Sequence, residues 1–144
     1  NILIENSGPG GMYTEIGRTI VLGKATAEMK EDFAFVREAQ SFTASLLAES
    51  RSPAEIWERY NQHLGNHNKP KEARLHCHSQ GYDLVERPLV RHDEPMAIGP
   101  AMNFACHPTT VTATSFASCC DNYLLRADGV ERLHTFPQEI IEVG

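Results

Sequence analysis

The sequence predicts an α+β domain, with two helices laid on one face of a curved antiparallel sheet. Three observations carry this expectation. Residues before Thr26 and after Ala73 read as strands, with β-branched and aromatic residues set between turn formers. From Thr26 to about Glu49 the apolar residues Met29, Phe33, Phe35, Val36, Ala39, Phe42, Leu46 and Leu47 recur at helical spacing. Ser52-Pro53-Ala54-Glu55 then has the form of a capping box with proline at the first helical position, so a second helix begins there. The order ββ-αα-βββββ separates helices from strands, as an α+β fold requires.

Taken in order, Ile2 to Glu5 is the first strand, and Asn6-Ser-Gly-Pro-Gly-Gly11 is a tight turn built from strong turn formers. Met12 to Leu22 is expected as one strand closing a hairpin. The second helix shows Ile56, Trp57, Tyr60 and Leu64 on one face and stops within Gly65-Asn-His-Asn-Lys-Pro70. Ala73 to Gln80 is expected as a strand and Tyr82 to Arg91 as a loop held by Pro88. Met96 to Cys106, Val111 to Ala117 and Cys119 to Leu125 are three more strands. Ala127-Asp-Gly129 is a hairpin turn, Val130 to Leu133 pairs back, and Phe136 to Val143 forms a tail.

The 144 residues suffice for one domain with a core, and 41% hydrophobic with 22% charged residues describes an ordinary globular chain. A formal charge of −6 with no stripe of Lys and Arg argues against a nucleic-acid surface. No apolar run reaches the length of a membrane span. Cys77, Cys106, Cys119 and Cys120 follow no secreted-scaffold spacing, so reduced thiols and a cytoplasmic location are expected. The chain opens on Asn1 and goes straight into a strand. It is therefore expected to be the C-terminal part of a longer polypeptide.

The densest chemistry lies in Arg74-Leu-His-Cys-His-Ser-Gln-Gly81. On a strand, His76 and His78 would share one face, and Gly81 would let the backbone turn or approach something closely. Such a pair suits a metal, a proton transfer or an anionic substrate. It equally suits a half-buried strand whose histidines bond to neighbours.

Four stretches in sequence order resemble the creatinase, prolidase and methionine aminopeptidase family, whose fold is called pita-bread. Gly11-Met-Tyr-Thr-Glu-Ile-Gly-Arg-Thr19 resembles its glycine, aromatic, acidic, Arg-Thr strand. Cys77-His-Ser-Gln-Gly81 resembles its Gly-His-Gly-x-Gly segment, with Glu86 and Pro88 in the trailing His-Glu-x-Pro. Met102-Asn-Phe-Ala-Cys-His-Pro108 resembles Met-Val-Phe-x-x-Glu-Pro. Cys120-Asp-Asn followed by Asp128-Gly129 resembles the closing Glu-Asp-Asn…Asp-Gly. The resemblance implies that residues 1–144 are the C-terminal part of one pita-bread domain, and that the protein is a homodimer acting on a small molecule or short peptide.

The resemblance also implies where a pair of metal ions would sit, and here the sequence departs. The family's first aspartate falls at Asn6 (or Glu5, the turn being shorter here), the second at Glu15, the histidine at His78, and the two glutamates at His107 and Cys120. A second histidine, which helps hold the scissile group, falls at Val85. Two adjacent divalent ions need several carboxylates to offset their repulsion, so an ordinary two-metal aminopeptidase is not expected.

Three readings remain. In the first, as in creatinase, no metal is used. His78 is then the acid and base on a small amide or guanidine C–N bond, with Glu15 or Glu86 orienting it, His107 and Cys120 beside it, and His76 lining the pocket. Arg18 and Arg91 are candidates for a substrate carboxylate, Arg18 alternatively for an ion pair inside the sheet. In the second, Glu15, His78, His107 and Cys120 hold a single Zn²⁺ or other divalent ion. In the third, the cleft binds a peptide or partner without turnover, and a residual metallo-aminopeptidase or prolidase stands behind these as the last alternative. Cys106, beside His107, is expected on the opposite face, in the core.

Overall fold

The computed structural model describes residues 2–144, and within these the α+β order holds, with two helices and eleven strands. β1 (Ile2–Ser7) and β2 (Tyr13–Arg18) form an antiparallel hairpin in which Glu5 faces Glu15 and Asn6 faces Thr14. Gly10 and Gly11 close its turn at φ +86° and +82°, a region that side-chain-bearing residues avoid. The expected strand from Met12 to Leu22 is in fact two. It breaks at Thr19, whose Oγ1 donates to Ser118 O and accepts from Ser118 N at 3.0 Å each. Beyond the break, β3 (Ile20–Leu22) leaves the hairpin for a partner at the far end of the chain.

α1 (Ala27–Glu49) starts where Thr26 Oγ1 accepts from Met29 N at 3.2 Å. It buries Phe33, Val36, Ala39, Thr43, Leu46 and Leu47, the inward face that the three-to-four spacing predicts. α2 (Pro53–Asn66) starts at Ser52, whose Oγ accepts from Glu55 N at 3.3 Å. The box is only half made, because the Glu55 carboxylate is taken by Ser50 Oγ at 2.6 Å rather than returning to Ser52 N. α2 buries Ile56, Tyr60 and Leu64.

The second half is more broken than the hydrophobic pattern predicts. The strand expected over 73–80 shortens to β4 (Cys77–Ser79), and the expected loop after it contains β5 (Glu86–Leu89). Of the run from Met96 to Cys106 only β6 (Asn103–Cys106) pairs, because Pro100 has no N–H to give a ladder. The run from Val111 to Ala117 folds as a hairpin of β7 (Thr109–Val111) and β8 (Phe116–Ser118). Thr112 Oγ1 makes that turn by accepting from Thr114 N and Ser115 N. β9 (Asp121–Arg126) and β10 (Gly129–Arg132) pair across the expected turn, and β11 (Ile141–Val143) runs parallel to β3.

The main sheet is antiparallel, ordered β10-β9-β6-β4-β5. The helices cover one face, where Leu46, Leu47, Ile56, Cys77, Phe104, Cys106 and Leu125 form the core. Cys106 is thus packed inside, as its place beside His107 predicts. All four cysteines are free thiols and buried. Alternation along β4 and β6 leaves His78 and Ala105, register partners, on the other face. Among the described residues no helix is long and apolar enough to cross a membrane.

Candidate active site

On the face away from the core, β2, β4, the end of β6 and the β7–β8 hairpin enclose a cavity of about 480 Å³. Its apolar wall includes Ile2, Leu3, Val85 and Phe116, and Glu5, Glu15, Arg74, His78 and His107 supply its charge and proton chemistry. Glu15, His78 and His107 meet here: one ligand-type atom of each lies within 4.8 Å of the others.

Each of the three is fixed from behind. Glu15 is 3% exposed, its N–H donates to Asn122 Oδ1 at 2.6 Å, and its Oε1 accepts from Cys120 Sγ at 3.1 Å. Asn122 is itself held, donating from Nδ2 to Gln80 Oε1 at 2.9 Å and to Asn103 Oδ1 at 3.1 Å. Burial raises the Glu15 pKa, the Cys120 thiol and His78 oppose the rise, and Glu5 opposite adds to it. His78 is also 3% exposed, and its Nδ1 lies 2.9 Å from Ser79 O. A carbonyl can only accept, so Nδ1 carries a proton towards Ser79, and Nε2 faces Glu15 Oε2, 3.8 Å away. His107 follows β6, its N–H held by His76 O at 2.8 Å and its ring 5.1 Å from that of His78. Burial first, and then His78, push its pKa down to about 4, so it is neutral at pH 7.

Cys120 touches Glu15 but stands outside the three-residue cluster. Burial and the Glu15 carboxylate push its thiol pKa well up, so it serves as a protonated donor to Glu15. Its approach needs Gly17, where an added Cβ would sit 2.9 Å from Cys120 Cβ and 3.0 Å from Leu3 Cδ1.

The structure does not bring the remaining sequence candidates to the reacting centre. His76 is 1% exposed and lies just before β4, so it turns to the helix layer and stacks on Tyr60 at 3.6 Å. Both its ring nitrogens lack a hydrogen-bond partner among the described residues, and burial pushes its pKa down to about 3. Arg18 borders the cavity, but its guanidinium is spent on Asp121 at 2.8 Å and on the carbonyls of Gly17, Cys120, Phe136 and Pro137. The ion pair inside the sheet is therefore its role. Arg91 is exposed and pairs with Asp93 at 3.0 Å. Glu86 braces the loop after β4: its Oε1 accepts from Asp83 N at 2.7 Å, and a Cβ on Gly81 would meet its Oε2 at 2.7 Å. Gly81 thus makes a close approach, and a side chain there would have to displace the Glu86 carboxylate. Asn6 points away from Glu15, and the register gives Glu5 the facing place. Val85 lines the cavity, so that wall position is occupied by an apolar side chain.

Several supporting residues carry no motif of their own. Gln80, Asn103 and Asn122 each lie inside a quoted stretch but look like ordinary strand polars there, with nothing to mark them as neighbours. Arg74 sits just before the histidine stretch, and its charge contributes to the lowered pKa of His107. Its signal in the sequence was position alone.

The antiparallel sheet thus carries an acid and two histidines beside a cavity on one face and the helices on the other. The model for metallopeptidase family M24 matches residues 2–131. The chain belongs to metallopeptidase family M24, as the four quoted stretches predicted. Its α+β arrangement is that of the C-terminal portion of a pita-bread fold. No curated protein gives a significant sequence match. Among solved structures, the dipeptidase PepE from Mycobacterium ulcerans superposes with a TM-score of 0.86 at 16% identity, covering 98% of this chain and 38% of that one. The prolidase from Pyrococcus horikoshii gives 0.80 at 20% identity, over 91% of this chain and 38% of that one. The N-terminal domain of FACT complex subunit SPT16 from Eremothecium gossypii gives 0.77 at 14% identity, over 92% and 34%. The chain thus spans under two fifths of the length of these structures.

Proposed function

We propose that the Glu15–His78–His107 cluster is the reacting centre of an altered M24 hydrolase acting on a C–N bond in a small amide, a guanidine or a short peptide, with His78 as the acid and base. The observation that carries this is the His78 ring: Nδ1 is pinned to Ser79 O while Nε2 faces both Glu15 and the cavity. Nε2 takes a proton from water as the water oxygen attacks the substrate carbon, and returns it to the leaving nitrogen. Glu15 stabilises the imidazolium that forms between the two events, and the Cys120 thiol and Asn122 hold Glu15 in place. Neutral His107 offers a hydrogen bond to the carbonyl or guanidine group. Arg74, which lines the cavity, takes the place first given to Arg18 and Arg91 as partner for a substrate carboxylate.

The donor set disfavours the family's pair of ions, because Glu15 is the one carboxylate in the cluster and Glu5 only faces it across the hairpin. It does fit one divalent ion. Two imidazoles and a carboxylate converging on a cavity are the ligands of open catalytic sites, and the protonated Nδ1 of His78 leaves Nε2 free to coordinate. A single ion held by Glu15, His78 and His107 is therefore the second reading, and it would supply a polarised water. The resemblance of the fold to structures as differently titled as a prolidase and a FACT subunit domain leaves the site, not the fold, to decide.

The test is turnover of Xaa-Pro dipeptides, small amides and guanidines by chelator-treated protein and by the His78→Ala variant. Turnover that survives chelation and is lost with His78 supports the first reading. Turnover restored by one equivalent of Zn²⁺ supports the second. A panel without any turnover sinks both and leaves a binding module.

A further inference from the structure

A second group of metal-ligating side chains lies across the helix layer, apart from the cavity. His63 and His67 stand four residues apart on and just after α2, so they share one face, and Glu38 of α1 faces them. Glu38 Oε1 lies 3.8 Å from His63 Nε2 and 3.4 Å from His67 Nε2. One ligand atom from each of the three lies within 4.8 Å of the other two. A tetrahedral ion with Zn–N bonds of about 2.0–2.1 Å holds neighbouring ligand atoms about 3.4 Å apart, so small rotations would close the set.

Two further observations point to a cation. His67 Nδ1 lies 2.9 Å from His63 O, which engages that nitrogen and orients Nε2 towards Glu38. His63 Nε2 is buried with no hydrogen-bond partner among the described residues, although it points at Glu38. The His63 ring is clamped in that orientation by Phe42, stacked at 4.5 Å, and by Phe35 at 6.0 Å. Glu38 and His67 are open to solvent, which leaves room for water as a fourth ligand.

We propose that Glu38, His63 and His67 form a divalent transition-metal site that ties α1 to α2, with imidazole ligands selecting Zn²⁺, Ni²⁺ or Cu²⁺ over Mg²⁺ and Ca²⁺. The neighbouring charges are compatible with it: Lys69 is engaged with Asp32 at 3.1 Å and with the Phe35 face.

The experiment is Zn²⁺ titration by calorimetry on metal-stripped protein carrying His78→Ala and His107→Ala, which removes both cavity imidazoles from the measurement. A Co²⁺ absorption spectrum gives the ligand geometry. One ion per chain is expected, with a raised melting temperature that Mg²⁺ does not reproduce. Adding His67→Ala should weaken binding at least tenfold and abolish the thermal shift. Glu38→Gln, a surface change that leaves the fold intact, should weaken it as well. Unchanged stoichiometry and affinity in either variant, or no Zn²⁺ binding in the parent, would overturn the proposal.

Discussion

Arg18 is held by the fold rather than offered to a substrate, and Asp121 is the residue through which to test this. Asp121 is 0% exposed and Arg18 4%, and they meet at 2.8 Å. Asp121→Asn keeps the shape and removes the charge, leaving a buried guanidinium with carbonyl and thiol partners and no carboxylate to balance it. Removing one member of a buried pair costs about 3–5 kcal/mol. Unfolding entropy of about 2.1 cal/mol/K per residue gives, for 144 residues, about 0.3 kcal/mol/K, so the melting temperature should fall by about 10–16 °C. The assay is thermal and denaturant unfolding of Asp121→Asn, Arg18→Met and the double variant. Their coupling energy should approach the upper end of the roughly 0.5–3 kcal/mol seen for contacting residues. An Arg18→Met variant that loses less than about 1 kcal/mol with no coupling to Asp121 would refute the reasoning, and would return Arg18 to the pool of substrate-binding cations.

Two other expected outcomes rest on geometry already described. Gly17→Ala drives a Cβ to 2.9 Å from the fully buried Cys120, so overpacking should cost about 1–3 kcal/mol in denaturant unfolding. An unchanged midpoint would mean that the two strands can part freely. His76 and His107, with folded pKa values lowered to about 3 and about 4, take up protons more readily when unfolded. The stability they contribute is full above their ordinary value of 6.5 and is lost as pH falls from there towards 4, each at about 1.4 kcal/mol per unit. Glu15, with its pKa raised, acts in the opposite sense: its contribution is full at low pH and is lost as pH rises through the folded value. His76→Phe keeps the stack on Tyr60 and should lower the loss of stability between pH 7 and pH 5, read by urea unfolding at both. An unaltered difference would show that His76 is not the buried neutral group described.

Local signals were legible and long-range ones were not. Thr26 and Ser52 mark both helix starts because a cap is a contact between residues three apart. The break at Thr19 has no local signature, since the partners that cause it, Ser118 and the tail strand Ile141–Val143, are about a hundred residues away. His78 and Glu15 could be placed from motif position, and the structure brings them together. His76 could not, because the period-two argument needs a ladder and the strand begins only at Cys77. Asn6 and Glu5 differ by one residue, and a one-residue slip of register exchanges the faces of the hairpin. The buried polar group behind Glu15, formed by Asn122, Gln80 and Asn103, draws on three separate strands or their ends and so leaves no trace in any one stretch.

The measurement that bears most directly on the central claim is the turnover of a small C–N substrate by metal-stripped protein, compared between wild type and His78→Ala. The account predicts that stripping leaves the rate within about a factor of two, while loss of the acid and base lowers it by roughly 10²–10⁴-fold. A rate that returns only with two equivalents of metal, or one that survives His78→Ala, would contradict it.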